Sequence, residues 1–377
     1  MKRREFVAGA AMGVVGVLSA IRSAFGQQPC PPPSIRAEGG TSSPPSSCGS
    51  IGDLPIGALV QDAKTPEQIA LYARVEGAGG REIVATVRYR VSGTSTWKDA
   101  HPLYRIDPNE TPRGAPTSVV EAFAGTIYDL SPGMQYEVEV TFDNNATQDI
   151  RSGVFTTRAL PGPAGTPIKT ATPSNLQSQI AGLVAGDVLE LQSGTYSTSD
   201  IQISVSGTES RPIYIRGADR DSVIIDDGSN SRKFDFRTCS NVVLENLTIR
   251  GTGVDHGQGA GTHAIRVSGG HSQSNITVRD VVCSGYDRFF LTGDGHTWTG
   301  GLVYNCTSFG NNAWNKANIR TNTTWNDDGI RFGGVGHCAW NNTLKGYGDT
   351  CALVHNENNR AIFFYRNKIN NSFDAVS

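Results

Sequence analysis

The chain has 377 residues, 37% hydrophobic and 8% aromatic, enough to bury the cores of about two domains at roughly 150 residues each and too many for a disordered tail. Only 18% are charged, and 33 Lys and Arg against 35 Asp and Glu leave a formal charge of -2, so no diffuse cationic field recruits nucleic acid or anionic lipid. Its 44 glycines lack a Gly-X-Y period and predict frequent turns in an all-β chain, while 7 cysteines, an odd number in a chain this long, make any disulfide supplementary.

Residues 1–27 read as an export signal. Lys2, Arg3 and Arg4 form a basic start, Val7 to Ala20 is an uncharged run, and Ala24-Phe25-Gly26 supplies small residues for cleavage. At 14 residues the run is short of the roughly 20 that a bilayer crossing needs, so no stable membrane span is expected. Arg3-Arg4-Glu5-Phe6-Val7 resembles the twin-arginine signal, R-R-x-F-hydrophobic. That resemblance implies the twin-arginine export machinery as a partner and a periplasmic or secreted destination; an ordinary Sec signal is the alternative. Residues 28–54, rich in Pro, Ser and Gly, bury too little to order themselves and read as a linker, with Cys30 and Cys48 available for one disulfide.

Across residues 55–159 the hydrophobic period is two: Ile69, Leu71, Ala73; Ala85, Val87, Tyr89, Val91; Tyr136, Val138, Val140, Phe142. Turn signals at Gly79-Gly80, Ser92-Gly93 and Pro132-Gly133 separate the runs, which predicts an antiparallel β-sandwich. Leu130-Ser131-Pro132-Gly133-Met134-Gln135-Tyr136-Glu137-Val138 resembles the fibronectin type III family, whose L-x-P-G-x-x-Y-x-V places a tyrosine hydroxyl over the preceding loop. Val87 to Val91 followed by Trp97 is similar to that family's C strand and the turn after it, whereas the usual strand-B Trp is missing from residues 69–73. Such domains are spacers or binding modules, so no chemistry is assigned to this one.

A hinge is expected at residues 160–167, around Pro161-Gly162-Pro163. From 168 to 377 the chain repeats itself. One strand recurs as residues 241–249, 275–283, 300–308, 336–344 and 361–369, with Asn246, Asp280, Asn305, Asn341 and Arg366 as anchors at steps of 34, 25, 36 and 25. A second strand follows each, from His263, Asp287, Asp328, Asp349 and Asp374. Fixed strands with elastic corners are what a parallel β-helix solenoid requires, since no single coil buries its own face. Residues 174–183, with Leu176, Ile180 and Leu183, predict a helix capping the first coil. With Ala185-Gly186-Asp187-Val188-Leu189-Glu190-Leu191 and Gly194-Thr195-Tyr196, this region resembles the pectate-lyase-like right-handed parallel β-helix superfamily. Cys239, Cys283, Cys306, Cys338 and Cys351 read as small buried hydrophobes, and no C-x-x-C pair suggests zinc. The repeat is interrupted at Ser377 without a cap, so the sequence reads as a fragment or as one whose end another subunit covers.

The second strands align with inward Ile265, Phe289, Ile330, Cys351 and Val376, and outward Arg266, Phe290, Arg331, Ala352 and Ser377. The corner column His263, Asp287, Asp328, Asp349 and Asp374 is read either as a hydrogen-bonded turn ladder or as a site. Beside it, residues 310–327 form a long insertion with Trp314, Lys316, Arg320 and Trp325, whose indoles suit sugar rings or simply anchor the loop. The superfamily resemblance implies an acidic, uronate-containing polysaccharide as substrate, cleaved by β-elimination. In that reading Asp327, Asp328 and Asp349 hold calcium, Arg331 meets the carboxylate, and His355 or Lys345 is the base. Trp314, Trp325, Arg266 and Arg320 would bind the sugar chain. Asn326-Asp327-Asp328-Gly329 also resembles the N-T-D-G motif of polygalacturonases, with Asp349 one coil on, but Thr350 stands where that family has a second Asp. A hydrolase, a C5-epimerase and a noncatalytic glycan-binding β-helix are therefore the alternatives. His101, His256, His271, His296 and His337 show no metal spacing and read as surface or turn histidines.

Overall fold

The computed structural model describes residues 54–76, 82–106, 121–198, 200–229, 232–252, 262–268, 273–292, 298–310, 328–347, 350–354, 359–370 and 374–376. The export signal and all but the last residue of the linker, with Cys30 and Cys48, lie outside them. The chain divides into two compact units, one ending at Ala159 and the other resuming at Leu160. No helix among the described residues is long and apolar enough to cross a membrane.

The first unit is a fibronectin type III-like sandwich of β1 (Val60–Lys64), β2 (Ile69–Arg74), β3 (Val84–Val91), β4 (Lys98–Ile106), β5 (Ala122–Ile127), β6 (Gln135–Asp143) and β7 (Gln148–Thr156). Every neighbouring pair is antiparallel in the order β1-β2-β5-β4-β3-β6-β7, and β4 reaches both halves by pairing with β3 near its start and with β5 near its end. The alternation in the sequence fills the core: Ile69, Leu71, Ala73, Ala85, Val87, Val138, Val140 and Phe142 are all buried. The Ser131 N–H donates to Tyr136 Oη at 2.8 Å, which is the tyrosine corner implied by the L-x-P-G run.

The second unit is a right-handed parallel β-helix. Three parallel sheets take strands in rotation: an eight-stranded sheet A, and seven-stranded sheets B and C. Ser240–Glu245, Thr248–Arg250 and His263–Ser268 are one such round, and Ser274–Arg279, Val282–Tyr286 and Arg288–Thr292 the next. One face of each sheet points to a shared core. In sheet A this row runs Leu189, Ile215, Leu244, Val278, Val303 and Ala339, all fully buried. A helix, α1 (Leu176–Ala181), seats Leu176 and Ile180 on that core, with Leu183 beside them.

The repeat anchors have a backbone cause. Asn246, Asp280, Asn305, Asn341 and Arg366 have φ of 58, 55, 55, 53 and 54°, the left-handed region. The residues five positions earlier, Asn241, Asn275, Gly300, Gly336 and Ala361, share it at 55, 56, 68, 73 and 49°. Five of the eight sheet A strands are thus bracketed by two left-handed residues. Asn, Asp and Gly tolerate that conformation where other L-residues pay for it. Asn side chains also stitch the coils: Asn275 Nδ2 donates to Asn241 Oδ1 at 2.9 Å, and inside the next corner Asn342 Nδ2 donates to Asn367 Oδ1 at 3.0 Å. The five cysteines of this unit are all buried, as small hydrophobes would be. His337 departs from the surface reading. It is fully buried, stacked on Trp298 at 4.3 Å and on Phe332 at 5.0 Å, with Nδ1 accepting the Gly301 N–H.

Candidate functional site: a charged row on sheet C

Sheet C carries the second strands. Its inward row is Ile265, Phe290, Ile330 and Ala352, so at two coils the register lies one residue on from the sequence alignment, which had Phe289 and Cys351. Two consecutive core residues cause the slip. Ala264 with Ile265 and Phe289 with Phe290 all enter the core where the chain bends into the sheet, and strict alternation breaks there.

The outward row is consequently Asp235, Arg266, Leu291, Arg331 and Leu353, rather than one containing Phe290 and Ala352. Arg266 and Arg331 do share it, two coils apart. The corner column changes more. His263 is level with Arg288, not Asp287, and Arg288 Nε donates to Asp328 Oδ2 at 3.3 Å on the next coil. Thr350, not Asp349, is level with Asp374. Asp287 turns to Thr262, accepting its backbone N–H at 2.7 Å and its hydroxyl at 3.0 Å, which makes it a turn residue.

Of the residues singled out in the sequence, Arg266 and Arg331 are therefore carried by sheet C, and Asp328 lies at the entry to the strand of Arg331. Lys345 is not: its strand, Thr343–Lys345, belongs to sheet B, where Nζ lies 5.5 Å from the Phe309 ring. Asp327, Asp349, Trp314, Arg320, Trp325 and His355 lie outside the described residues.

Two features went unnoticed in the sequence. Arg288 is one, hidden by the misplaced column. The other is Asp235, on the first long strand of sheet C, Phe234–Arg237. Its carboxylate, almost wholly buried, accepts from Arg237 Nε at 2.5 Å and from Ser268 Oγ at 2.5 Å, with Arg232 Nη2 at 3.5 Å. Its hydrogen bond pushes the Arg237 pKa up. Arg232 also pairs with Asp200 at 2.6 Å. The alternating Lys233-Phe234-Asp235-Phe236-Arg237 was the available signal. Four successive coils of sheet C thus carry arginines, Arg232 and Arg237, Arg266, Arg288, and Arg331, of which Arg266 and Arg331 share the outward row and Arg288 and Arg331 are largely buried. Asp200, Asp235 and Asp328 neutralise part of that charge.

Guanidinium groups meet carboxylates and sulfates through paired N–H donors, and here Arg232, Arg237 and Arg288 meet the carboxylates of Asp200, Asp235 and Asp328. Asp328, the described member of the calcium set expected from sequence, is 2% exposed and paired with a cation. Among the described residues no group of three or more His, Cys, Asp and Glu is placed to hold a metal.

No family model matches the chain, and no curated protein matches it. Among solved structures, the fibronectin type III domain of human fibronectin type III domain containing protein 3 is similar over 32% of this chain and 99% of its own, at 15% identity and TM-score 0.22. An alginate lyase from Paenibacillus sp. strain FPU-7 is similar over 55% of this chain and 99% of its own, at 13% identity and TM-score 0.24. A PL6 family polysaccharide lyase from Pseudopedobacter saltans is similar over 50% of this chain and 66% of its own, at 13% identity and TM-score 0.22. Scores and identities this low assign no activity.

Proposed function

We propose that this is an exported, carbohydrate-active protein that binds an acidic polysaccharide along sheet C and cleaves it by β-elimination. The observation that supports this is the run of arginines on four successive coils. Neighbouring parallel strands lie about 4.8 Å apart, so the row extends along the solenoid as a polymer does.

In the elimination, a base takes the proton α to the uronate carboxylate. The electron pair forms a C=C bond, and the C–O bond to the leaving sugar breaks as that oxygen gains a proton. Arg266 and Arg331 would neutralise the carboxylate as negative charge gathers on it. Lys345 is withdrawn as base because it sits on sheet B. His263, level with Arg288, is the described group of suitable type on this face, and His355 remains part of the proposal. No step is routed through calcium.

A second reading, binding without cleavage, is favoured by one observation. Asp328 is buried against Arg288, the disposition of a carboxylate that holds a cation in place rather than one that reacts. Polygalacturonase-like hydrolysis would need Asp328 free to act with Asp349 and is correspondingly weaker.

The test is a screen of the full chain against alginate, pectate, chondroitin and neutral glucans, with and without calcium. It follows ultraviolet absorbance of the new conjugated double bond together with new reducing ends. Both signals establish a lyase, whereas reducing ends alone establish a hydrolase. Retention on an acidic glycan with neither signal, lost in Arg266→Ala/Arg331→Ala, establishes binding only. No retention of any acidic glycan overturns the proposal.

A further inference from the structure

The outer face of sheet A ought to meet solvent, yet it does not. Its outward row runs Val188, Tyr214, Val243, Thr277, Leu302 and Cys338, all buried. All but Thr277 fall in two smaller apolar clusters apart from the solenoid core. Leu160 packs on the cluster of Leu302, Tyr304, Cys338 and Trp340, and Ala164 on that of Val188, Tyr214 and Val243. The segment between them crosses the coils.

Polar contacts fix it there. Arg279 Nη1 donates to Pro161 O at 2.9 Å and Nη2 to Gly162 O at 2.8 Å, while Tyr214 Oη donates to Gly162 O at 3.1 Å. Arg279 is itself held: its Nε donates to Glu245 Oε2 at 2.5 Å and Nη1 to Tyr304 Oη at 3.0 Å. Tyr304 stacks on Trp340 at 4.2 Å, and Trp340 on Tyr365 at 5.6 Å. The segment suits this role. Pro161 and Pro163 lack N–H groups, so it cannot add to a sheet edge as a strand, but its carbonyls remain free to accept.

We infer that residues 160–164 are a strap bound across sheet A, with Arg279 as its pin, and not a hinge. The strap is the occupant of an apolar outer surface that would otherwise be an exposed patch. Arg279 couples it to the ladder of charged and aromatic side chains beneath.

Limited proteolysis of the full chain with a broad-specificity protease tests this, with cleavage within 160–167 located by mass spectrometry. Cleavage needs the segment to leave the surface, so a bound strap is cut slowly. The wild type is expected to resist there by at least about tenfold relative to a free peptide of the same sequence. Arg279→Met, which keeps the aliphatic stem, is expected to be cut at least about tenfold faster than wild type with unchanged far-ultraviolet circular dichroism. Tyr214→Phe removes one hydrogen bond and keeps the ring, so it should fall between them. Wild-type cleavage as fast as the free peptide overturns the inference, whether or not Arg279→Met folds. So does a folded Arg279→Met indistinguishable from wild type.

Discussion

Ala361 is the place where the paired left-handed positions can be tested cleanly. It stands in the row of Asn241, Asn275, Gly300 and Gly336, at φ 49°, but has a β-carbon and no amide to compensate. The left-handed region costs an L-residue about 1–2 kcal/mol. Glycine at the same position removes that cost but adds about 0.5–1 kcal/mol of backbone entropy lost on folding. Ala361→Gly should therefore stabilise by about 0.5–1 kcal/mol, near 1–4 °C in melting temperature for a unit of this size. Gly336→Ala, at φ 73°, should do the reverse by a similar amount. Both variants are compared with wild type by thermal melting, with hydrogen exchange over 363–370 resolving any effect confined to that coil. A destabilised Ala361→Gly, or a neutral Gly336→Ala, would refute the reasoning, because the backbone would then be relaxing out of the left-handed region at no cost.

Asn342→Ala removes the acceptor of the Cys306 N–H, at 3.0 Å, and the donor to Val303 O, at 2.9 Å. At about 1–3 kcal/mol per stranded buried group, denaturant unfolding should show a loss of about 2–5 kcal/mol, and a change under 1 kcal/mol would refute the ladder. Burial pushes the Cys239 and Cys283 thiols up to about 12, so alkylation of both near pH 8.5 should proceed only as fast as the protein opens; rapid labelling of the native chain would contradict the core assignment. Burial acts to raise the Asp227 pKa, but the pairing with fully buried Lys233 and hydrogen bonds from Ser229 outweigh it and hold the carboxyl below its ordinary value. The unfolded state therefore holds that proton more tightly: the stabilisation is complete above about pH 4 and fades as pH falls through the folded value. Lys233→Met should cost about 3–5 kcal/mol at neutral pH and turn this contribution around, so that stability declines as pH rises; urea titrations between pH 3 and about 7 with parallel slopes for both proteins would count against the pair.

Much of the architecture was legible because its signals are local. Period-two alternation and Leu130 to Val138 specified the sandwich, and the recurring Asn and Asp anchors specified the repeat, although their left-handed backbone was not read from it. The candidate site was less so. Register across parallel strands depends on how many residues each bend consumes, and one extra inward residue at Phe289 and at Cys351 shifted the column by a position. That shift put Asp287 where Arg288 stands. Lys345 looked near Asp328 in sequence, yet a coil of three sheets places residues about 17 apart on different faces. His337 gave no sign of its burial, because its partners Trp298 and Phe332 come from other parts of the chain. The cover over sheet A was invisible for the same reason: a Pro-Gly-Pro run reads as loose until something holds it.

The variable step between anchors has an address. Sheet A strands run to sheet B strands through a bend of two residues in every coil but that from Gly217 to Val223, whereas from Arg250 to His263, Tyr286 to Arg288, Gly310 to Ile330 and Lys345 to Thr350 the connection ranges from one intervening residue to nineteen. All of these open onto the start of sheet C, beside His263, Arg288 and Asp328. Connections of such different length can be accommodated because the strands that bracket them keep their places in sheets B and C.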